Sequence, residues 1–543
     1  MDYLKDYITE TAEKLETGLV MVECPTGYGK SYQIAEFAKA FNEGKKIVYL
    51  TTQVKNCAAM VHDINGDSKD GEALWLRSNV DNVVDKLLDL TIPDEFKLGV
   101  YDELCKSIKK YKNSEKVADQ EYLKTLREEI GKKDNKFRDE IRKKLGNEFS
   151  KKEKASVLLN VIKTNKNYKW IGELYPQVYT CEKQVLVMSV SKFLYRNDPI
   201  IEPEYKFLSK KFLKDKIVFI DEFDAAKGMI QSTIIEKAVD AKDDYIKLFL
   251  QVFRNLKPDT FSINSQLVTE MTDTNKNGEK KKQTLAKLID EATEINEKYR
   301  TELSYKLEES GIDHKQNFLI NDGTFNTIFQ EDNKKYMRVS KNDTENINEI
   351  HIEDKDSYNA NKKYDDIIIF NLLRDITTFF LHLRWYMHSW SENYKNIENS
   401  RRLGTGRKEA ISLENAMHTF MNKLRLDEKQ QKIISLELCS EAVKNNMNKV
   451  LPDMSFYQKG LELISFEDHD SHNDDTEMKL IQILDTPEKI LVHVASNALV
   501  FAVSATAEIP TAVGNFDLSY VEEYLEENYI PMDSTLNKNI LMK

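Results

Sequence analysis

Five short apolar runs stand out in a chain that is otherwise rich in charged residues. They lie at residues 18–22, 46–51, 184–188, 216–220 and 498–503. Runs of this length, rich in Val, Ile and Leu, are typical of strands that are buried on both faces of a parallel sheet. Residues 32–41, between the first two runs, have apolar positions at helical spacing. The beginning of the chain therefore predicts a strand, a loop, a helix and a second strand.

Two long intervals separate the predicted strands. Residues from about 57 to 169 are charged and helical in pattern, and residues from about 225 to 488 combine Lys/Glu-rich, Asn/Asp-rich and aromatic stretches. A crossover between parallel strands can be lengthened into a whole domain at small cost in loop-closure entropy. We therefore predict an α/β fold with a parallel sheet flanked by helices and two large, mostly helical insertions. The predicted boundaries are 1–56, 176–225 and 488–543 for the sheet lobe, and 57–175 and 226–487 for the insertions.

Composition narrows the class of protein. The 543 residues carry a net charge of −12, but residues 106–154 hold 17 Lys or Arg against 10 Asp or Glu. That region is either a nucleic-acid surface or a solvated helix face with mixed charges. No stretch is long and apolar enough to span a bilayer, and the first ten residues lack the apolar core of a signal peptide. Five cysteines do not make a disulfide framework in so long a chain, so we expect a reduced, cytoplasmic protein.

The loop after the first predicted strand carries the strongest chemical signal. Residues 24–31 read Cys-Pro-Thr-Gly-Tyr-Gly-Lys-Ser. The glycines let backbone N–H groups close around a phosphate, the lysine can reach the β- and γ-phosphates, and the serine hydroxyl can ligate Mg²⁺. The helix that follows points its positive end at the same anion. We predict a site for ATP and Mg²⁺ formed by Pro25, Thr26, Gly27, Tyr28, Gly29, Lys30 and Ser31.

An acidic cluster follows the fourth predicted strand. Asp221 comes directly after residues 217–220, and Glu222 and Asp224 come next. A carboxylate at the carboxyl end of a strand, beside a phosphate-binding loop, can hold the shell of a Mg²⁺ ion, which is the role predicted for Asp221. Glu222 is placed to accept a proton from an attacking water molecule. Lys30, Asp221 and Glu222 are thus the predicted catalytic residues, and Ser31 and Asp221 are the predicted metal ligands.

Ser504 and Thr506 follow the last predicted strand and complete an ordered set of motifs. The order of the glycine-containing loop, Asp-Glu-Phe-Asp and Ser-Ala-Thr resembles the DExD/H-box helicases of superfamily 2. The resemblance implies a RecA-like P-loop fold, nucleic-acid-dependent ATP hydrolysis, and a coupling role for Asp224, Ser504 and Thr506. The two long intervals fall where the XPD/DinG-like branch of that superfamily carries its insertions, and they match it in position only.

Further parts of the resemblance concern nucleic acid. Residues 50–53 resemble the segment that lies along the nucleic-acid backbone in these helicases. Ser189 lies in residues 187–190, which resemble the segment that precedes the acidic motif in the XPD/DinG-like branch. The basic stretch 401–408 suits a phosphate-contacting loop or an ordinary surface loop. We expect single-stranded DNA as the partner ahead of RNA. The candidate nucleic-acid residues are Thr51, Thr52, Gln53, Ser189, Arg401, Arg402 and Arg407.

Two departures from that branch bear on the expected activity. The first interval offers only Cys57, Cys105 and Cys181 where the branch usually holds an iron–sulfur cluster with four cysteines, so we expect ordinary thiols. A helicase motor also needs a second RecA-like lobe with an arginine finger, and only a short segment follows Thr506. We therefore expect slow hydrolysis by this chain alone, with the second lobe supplied by a partner, another copy or a longer protein. The alternative is a nucleotide-gated module that binds nucleic acid or protein without unwinding.

Overall fold

The computed structural model divides the chain into two compact units. One comprises Met1–Thr233 with Pro487–Lys543, and the other comprises Ile234–Thr486. The residues described are 3–25, 27–41, 44–68, 71–97, 99–116, 118–148, 155–240, 243–261, 284–308, 317–321, 327–330, 333–404, 413–435, 461–467, 476–483, 485–507 and 515–531.

The strands are β1 (Gly18–Glu23), β2 (Lys46–Thr51), β3 (Ala73–Trp75), β4 (Val185–Ser189), β5 (Arg196–Asn197), β6 (Tyr205–Lys206), β7 (Lys216–Asp221), β8 (Asp243–Asp244), β9 (Tyr305–Leu307), β10 (Asn317–Asn321), β11 (Thr327–Gln330), β12 (Asn333–Asn342), β13 (Ile347–Glu353), β14 (Leu461–Glu467), β15 (Glu477–Ile483), β16 (Leu499–Ser504) and β17 (Tyr529–Ile530). The α-helices are α1 (Tyr3–Lys14), α2 (Lys30–Ala40), α3 (Val54–Asn65), α4 (Asn79–Lys86), α5 (Tyr101–Ser114), α6 (Gln120–Glu148), α7 (Ala155–Thr164), α8 (Lys169–Leu174), α9 (Val190–Phe193), α10 (Lys210–Leu213), α11 (Phe223–Asp240), α12 (Tyr245–Asn255), α13 (Thr284–Tyr299), α14 (Lys355–Asn361), α15 (Ile369–Gly404), α16 (Leu413–Lys423), α17 (Glu428–Ser435), α18 (Pro487–Ala495) and α19 (Leu518–Leu525).

The first unit is built on a seven-stranded sheet in which all neighbouring strands run parallel. The strand order is β17-β1-β16-β7-β2-β4-β3. The five predicted strands are confirmed to within one residue at each end, as β1, β2, β4, β7 and β16. Helices flank the sheet, so the predicted α/β class with a parallel sheet is confirmed.

Continuous apolar runs form these strands because both faces of the sheet are buried. The strands β2 and β7 are buried at every position after the first residue, and β16 is buried throughout. On one face, helices α1, α2 and α3 share a core with the strands. Within it, Phe219 stacks on Phe501 with ring centroids 5.1 Å apart and meets Phe37 of α2 edge-on at 5.7 Å. Burial on this scale is the main favourable contribution to the stability of the sheet.

The strand register brings the predicted functional segments to one edge. Glu23 pairs with Ser504, and Val503 pairs with Asp221. On the other side of β7, Leu50 pairs with Ile220, and Thr51 pairs with Ser189. The loops that follow β1, β2, β4, β7 and β16 therefore all leave from the same end of the sheet, which we call the carboxyl edge. Open parallel sheets bind ligands at this edge.

The predicted boundary at residue 57 lies too early along the chain. Helix α3 packs Cys57 and Met60 into the core of the sheet, and β3 pairs with β4, so the chain up to Trp75 belongs to the sheet and its covering helices. The helices α4 to α8 that follow share a different core, which includes Phe137 and Trp170. They cluster with the sheet in the same compact unit.

The second unit contains an eight-stranded sheet that the sequence analysis did not predict. Its order is β8-β15-β14-β10-β11-β12-β13-β9, antiparallel except between β13 and β9. Long helices accompany it, and the core includes Phe249, Leu288 and Phe379. The prediction that residues 226–487 form a mostly helical insertion was therefore wrong, because it left out this sheet. Among the helices that the structure describes in the whole chain, none combines the length and the apolar composition needed to cross a bilayer.

Candidate functional site

Two glycines with positive φ shape the loop between β1 and α2. The φ angle is 85° at Gly27 and 81° at Gly29, a region that other residues enter at a cost of about 1 kcal/mol or more. A Cβ built on either glycine meets no atom within 4 Å, so the space beside both is open. Gly29 is the N-cap of α2, and no side chain caps the helix at this position. Backbone N–H donors and the positive end of an 11-residue helix are therefore available to an anion.

The loop formed by residues 24–31 is tied to the sheet at its first residue. The Cys24 backbone N–H donates to the Ser504 carbonyl at 3.1 Å, which extends the pairing of β1 with β16 by one residue. Burial raises the pKa of the Cys24 thiol to about 11, although the charge of Lys30 acts in the opposite direction. Pro25 and both glycines are exposed and Tyr28 is half-buried. Thr26, also predicted to bind nucleotide, lies outside the described residues.

Lys30 and Ser31 begin α2 and turn toward the strand ends. The Lys30 Nζ donates to the Cys24 carbonyl at 3.2 Å, so the ammonium folds back over the loop. Burial raises the pKa of the Tyr49 phenol on β2, and the Ser31 side chain acts in the opposite direction. That phenol donates to Asp221 Oδ2. Tyr49 therefore contacts one of the two residues that were predicted to ligate Mg²⁺, Asp221, and is influenced by the other, Ser31.

Asp221 is the last residue of β7 and is 5% exposed. Burial raises its pKa, the nearby Glu222 charge adds to that shift, and the Tyr49 hydrogen bond and the Lys30 charge oppose it. A lysine and an aspartate far apart in the sequence thus act on each other at the carboxyl edge. Tyr49 is a site residue that the sequence analysis missed. A signal was present, because a buried tyrosine in an apolar strand requires a partner for its hydroxyl.

Glu222 is held by the segment that follows β2. The Thr52 hydroxyl donates to Glu222 Oε2, and the Gln53 side-chain amide donates to Oε1 at 3.2 Å. The Glu222 backbone has a positive φ of 55°, and its N–H donates to Asp221 Oδ1 at 3.1 Å. Two residues predicted to contact nucleic acid therefore contact the predicted general base in the structure.

Asp224 joins the last strand of the sheet to the acidic cluster. Ser504 Oγ donates to Asp224 Oδ1 at 2.6 Å, and Thr506 Oγ1 donates to Oδ2 at 2.9 Å. Burial opposes ionisation of Asp224, but the hydrogen bonds from these two hydroxyls and from backbone N–H groups together outweigh it and lower its pKa. The Asn515 amide donates to the Thr506 carbonyl at 3.0 Å and steadies the chain after β16. The three residues predicted to couple the site to motion are in direct contact.

The remaining candidate residues fare differently. Thr51 is 0% exposed, and its hydroxyl accepts the Gln53 backbone N–H at 3.3 Å, so this side chain is not accessible to nucleic acid and the prediction for it was wrong. Ser189 is half-buried and caps α9 by accepting the Lys192 N–H at 3.1 Å. In the second unit, Arg401 pairs with Glu398 at 2.7 Å within α15. Arg402 is the next residue of that helix, and Arg407 lies outside the described residues.

We expect the Asp221→Asn substitution to stabilise the metal-free protein at neutral pH. Because the folded-state pKa of Asp221 lies above the ordinary 3.8, the folded state binds this proton more tightly, and stability falls as pH rises through the window above 3.8. The side-chain oxygen of asparagine can still accept from the Glu222 N–H, and its NH₂ group can donate to the Tyr49 oxygen. Melting temperatures without Mg²⁺ should therefore be higher for the variant at neutral pH and converge with the wild type at more acidic pH.

The neighbouring carboxylate provides a control of opposite sign. The lowered pKa of Asp224 contributes stability above 3.8 that is lost as pH falls, so Asp224→Asn should lower the melting temperature at neutral pH. If both variants shifted the melting temperature in the same direction, the assignment of Asp221 as the destabilising buried charge would be wrong.

The 24–31 loop, the acidic cluster and the Ser-Ala-Thr segment thus converge at the carboxyl edge of one sheet, although long stretches of chain separate them. The site contains a loop with open space beside two glycines, the ammonium of Lys30, the buried carboxylate of Asp221 and the carboxylates of Glu222 and Asp224. A scan against models of protein families and a search among curated proteins both give no match for this chain.

Proposed function

We propose that this chain carries the ATP-binding lobe of a nucleic-acid helicase or translocase, a RecA-like P-loop lobe that couples Mg-ATP hydrolysis to remodelling of DNA or RNA. The observation that carries the proposal is the convergence of three motifs at the carboxyl edge. Lys30 acts electrostatically on Asp221, and Asp224 is hydrogen-bonded by Ser504 and Thr506. A sheet that served only to fold would not require these contacts between polar strand ends.

The residues at this edge fit a metal-bound triphosphate. The open space beside Gly27 and Gly29 and the uncapped N-terminus of α2 suit phosphate oxygens. Lys30 is the cation that would reach the terminal phosphates, and Ser31 and Asp221 would hold Mg²⁺. This ion commonly uses few protein ligands and completes its shell with phosphate oxygens and water. When bound, Mg-ATP supplies a phosphoanhydride bond and a metal that neutralises charge on the phosphates.

The two other carboxylates have distinct roles in the proposal. Glu222 takes the proton of the attacking water at one of its carboxylate oxygens, since it lies next to the metal ligand Asp221 and is half-exposed. Asp224 stays ionised and holds the hydroxyls of Ser504 and Thr506. A displacement at the acidic cluster is thereby transmitted to the end of β16.

Nucleic acid, with single-stranded DNA ahead of RNA, is the proposed partner at the same edge. Thr52, Gln53 and Ser189 lie at the ends of β2 and β4 and offer hydroxyl and amide donors to a phosphate backbone. Arg401, Arg402 and Arg407 are also proposed to contact phosphates of the nucleic acid. We also propose that a second RecA-like lobe supplies the arginine finger, which stabilises the charge on the transferred phosphoryl group.

One observation favours a second candidate function. Both Glu222 oxygens accept hydrogen bonds from Thr52 and Gln53, so the base is engaged by the protein. A restrained base is expected in a nucleotide-gated module. Such a module would bind nucleic acid or protein while ATP is bound, and it would perform no unwinding. The two candidates share the nucleotide site and differ in turnover.

The test begins with the wild-type chain and Mg-ATP. Calorimetry should show binding of a non-hydrolysable ATP analogue that depends on Mg²⁺, and phosphate release should be slow. Adding a lobe that provides the arginine should raise the rate on the order of 10³-fold or more in the presence of single-stranded DNA. Absence of Mg-ATP binding would refute the proposal. Binding without turnover under all these conditions would select the gated module, and rapid turnover by the chain alone would refute the need for a second lobe.

A further inference from the structure

The predicted general base is restrained by side chains from the neighbouring strand. Strands β2 and β7 are adjacent, with Leu50 opposite Ile220, so the residues that follow them meet. Thr52 and Gln53 each donate to a different oxygen of Glu222. Both oxygens of Glu222 are thus engaged by protein donors. The two bonds hold the carboxylate in one orientation at the end of β7, so it is not free to turn toward an attacking water molecule.

The backbone of Glu222 is strained in this arrangement. Its φ of 55° is in the left-handed region, which is unfavourable for a residue other than glycine. The two side-chain bonds and the bond from its N–H to Asp221 hold it there. Once the side-chain bonds are lost, the backbone can relax and reorient the carboxylate. Strain of this kind at a functional site is typical of switch regions.

The same two donors are accessible to a second anion. Thr52 is half-buried and Gln53 is exposed, and both lie where β2 leaves the sheet. Hydroxyl and amide groups are common donors to the phosphate oxygens of nucleic acids. A hydroxyl has one proton to donate, so Thr52 cannot serve Glu222 and a phosphate together.

We propose that Thr52 and Gln53 exchange Glu222 for a backbone phosphate of bound nucleic acid, so that nucleic-acid binding releases the general base. The inference rests on the proposed function, since it assigns Glu222 to hydrolysis and the 51–53 segment to nucleic acid. It adds a means by which the free protein keeps hydrolysis low. Thermodynamic linkage makes this competition reciprocal. If bound nucleic acid weakens the bonds from Thr52 and Gln53 to Glu222 by some factor, those bonds weaken nucleic-acid binding by the same factor.

The first test removes the restraint. In the Thr52→Val, Gln53→Ala double variant, hydrolysis of labelled ATP under single-turnover conditions without nucleic acid should rise roughly tenfold, since hydrogen bonds to charged groups are worth about that much or more. Single-stranded DNA should accelerate the wild type and have little further effect on the variant. Thr164→Val is the matched control, because this exposed threonine bonds only a carbonyl of its own helix, Asn160, at 2.8 Å.

The second test uses linkage and needs no hydrolysis. Without nucleotide, Glu222→Ala should bind single-stranded DNA roughly tenfold more tightly than the wild type, because Thr52 and Gln53 are released. Any lost negative charge would strengthen DNA binding to some extent. Glu23→Ala controls for this effect, since Glu23 ends β1 at the same edge and its removal leaves Thr52 and Gln53 bonded to Glu222. Fluorescence anisotropy with a labelled oligonucleotide measures both affinities.

The outcomes separate this inference from the proposed function. If the wild type binds Mg-ATP but the double variant hydrolyses it no faster, or more slowly, the restraint is refuted and the nucleotide site stands. Equal tightening of DNA binding by Glu222→Ala and Glu23→Ala refutes the exchange in the same way. If the wild type does not bind Mg-ATP, the proposed function and this inference fail together.

Discussion

The Glu222→Gln variant is expected to hydrolyse ATP about 10²- to 10⁴-fold more slowly than the wild type, the contribution usual for a positioned general base. Glutamine has nearly the shape of glutamate and cannot take the proton of the attacking water. It keeps an amide oxygen that can accept from Thr52 or Gln53, so the segment after β2 stays in place. Mg-ATP binding should persist because Lys30, Ser31 and Asp221 are unchanged.

Two measurements on the same samples decide this prediction. Single-turnover hydrolysis reports the chemical step, and calorimetry with a non-hydrolysable analogue reports binding. Glu36→Gln is the matched control, since Glu36 lies on α2 and only pairs with Lys39 at its surface, at 2.6 Å. A parallel loss of binding and hydrolysis in Glu222→Gln would mean that the residue holds the nucleotide. An unchanged rate would remove Glu222 from the chemistry.

The parallel sheet could be predicted from sequence because burial leaves a simple pattern. Strands covered on both faces, such as β7 and β16, are continuous apolar runs. Their order in the sheet does not follow from such runs. The sequence places β2 directly after β1, whereas in the sheet β16 and β7 lie between them. What the motifs indicated was that their strand ends should meet, and the register of Glu23, Ser504 and Asp221 brings them to one edge.

The parts that escaped prediction have weaker or opposite patterns. Strand β3 has three residues and is only partly buried, too short to stand out from the helical segments around it. In the second unit, burial along β13 alternates only over its first four residues, and two of its three buried residues are Asn348 and His351. A strand with polar residues at buried positions does not show the period of two by which a half-buried strand is predicted.

The candidate site shows the same limit at the level of side chains. Residue types and spacing predicted Lys30, Asp221 and Asp224 as site residues, and they remain predictions. Tyr49 was interpreted as part of an apolar strand, although its hydroxyl donates to the proposed metal ligand Asp221. Thr51 was assigned to nucleic acid because of its neighbours, yet its side chain points into the protein. Successive side chains of a strand point to opposite faces, so only one of two adjacent residues is accessible. A sequence motif does not tell which of the two it is.

The Lys30→Ala variant is expected to lose Mg-ATP affinity by roughly one to two orders of magnitude, since a hydrogen bond between charged groups is worth about 1.5 to 3 kcal/mol. A second effect adds to the first. The Lys30 charge lowers the pKa of Asp221 against the effect of burial, so its removal makes that carboxylate easier to protonate and a poorer ligand for Mg²⁺. The loss should therefore be larger for Mg-ATP than for ATP without metal.

Titration calorimetry of the variant with ATP, in the presence and absence of Mg²⁺, measures both effects. Lys39→Ala is the matched control on the same helix, because Lys39 makes only a surface pair with Glu36, which contributes little to stability. The fold should be unaffected in both variants, since Lys30 Nζ bonds only the Cys24 carbonyl in the structure. Wild-type affinity in Lys30→Ala would show that the 24–31 loop does not bind triphosphate. Equal losses of ATP affinity with and without Mg²⁺ would show that Lys30 does not act through the ionisation of Asp221.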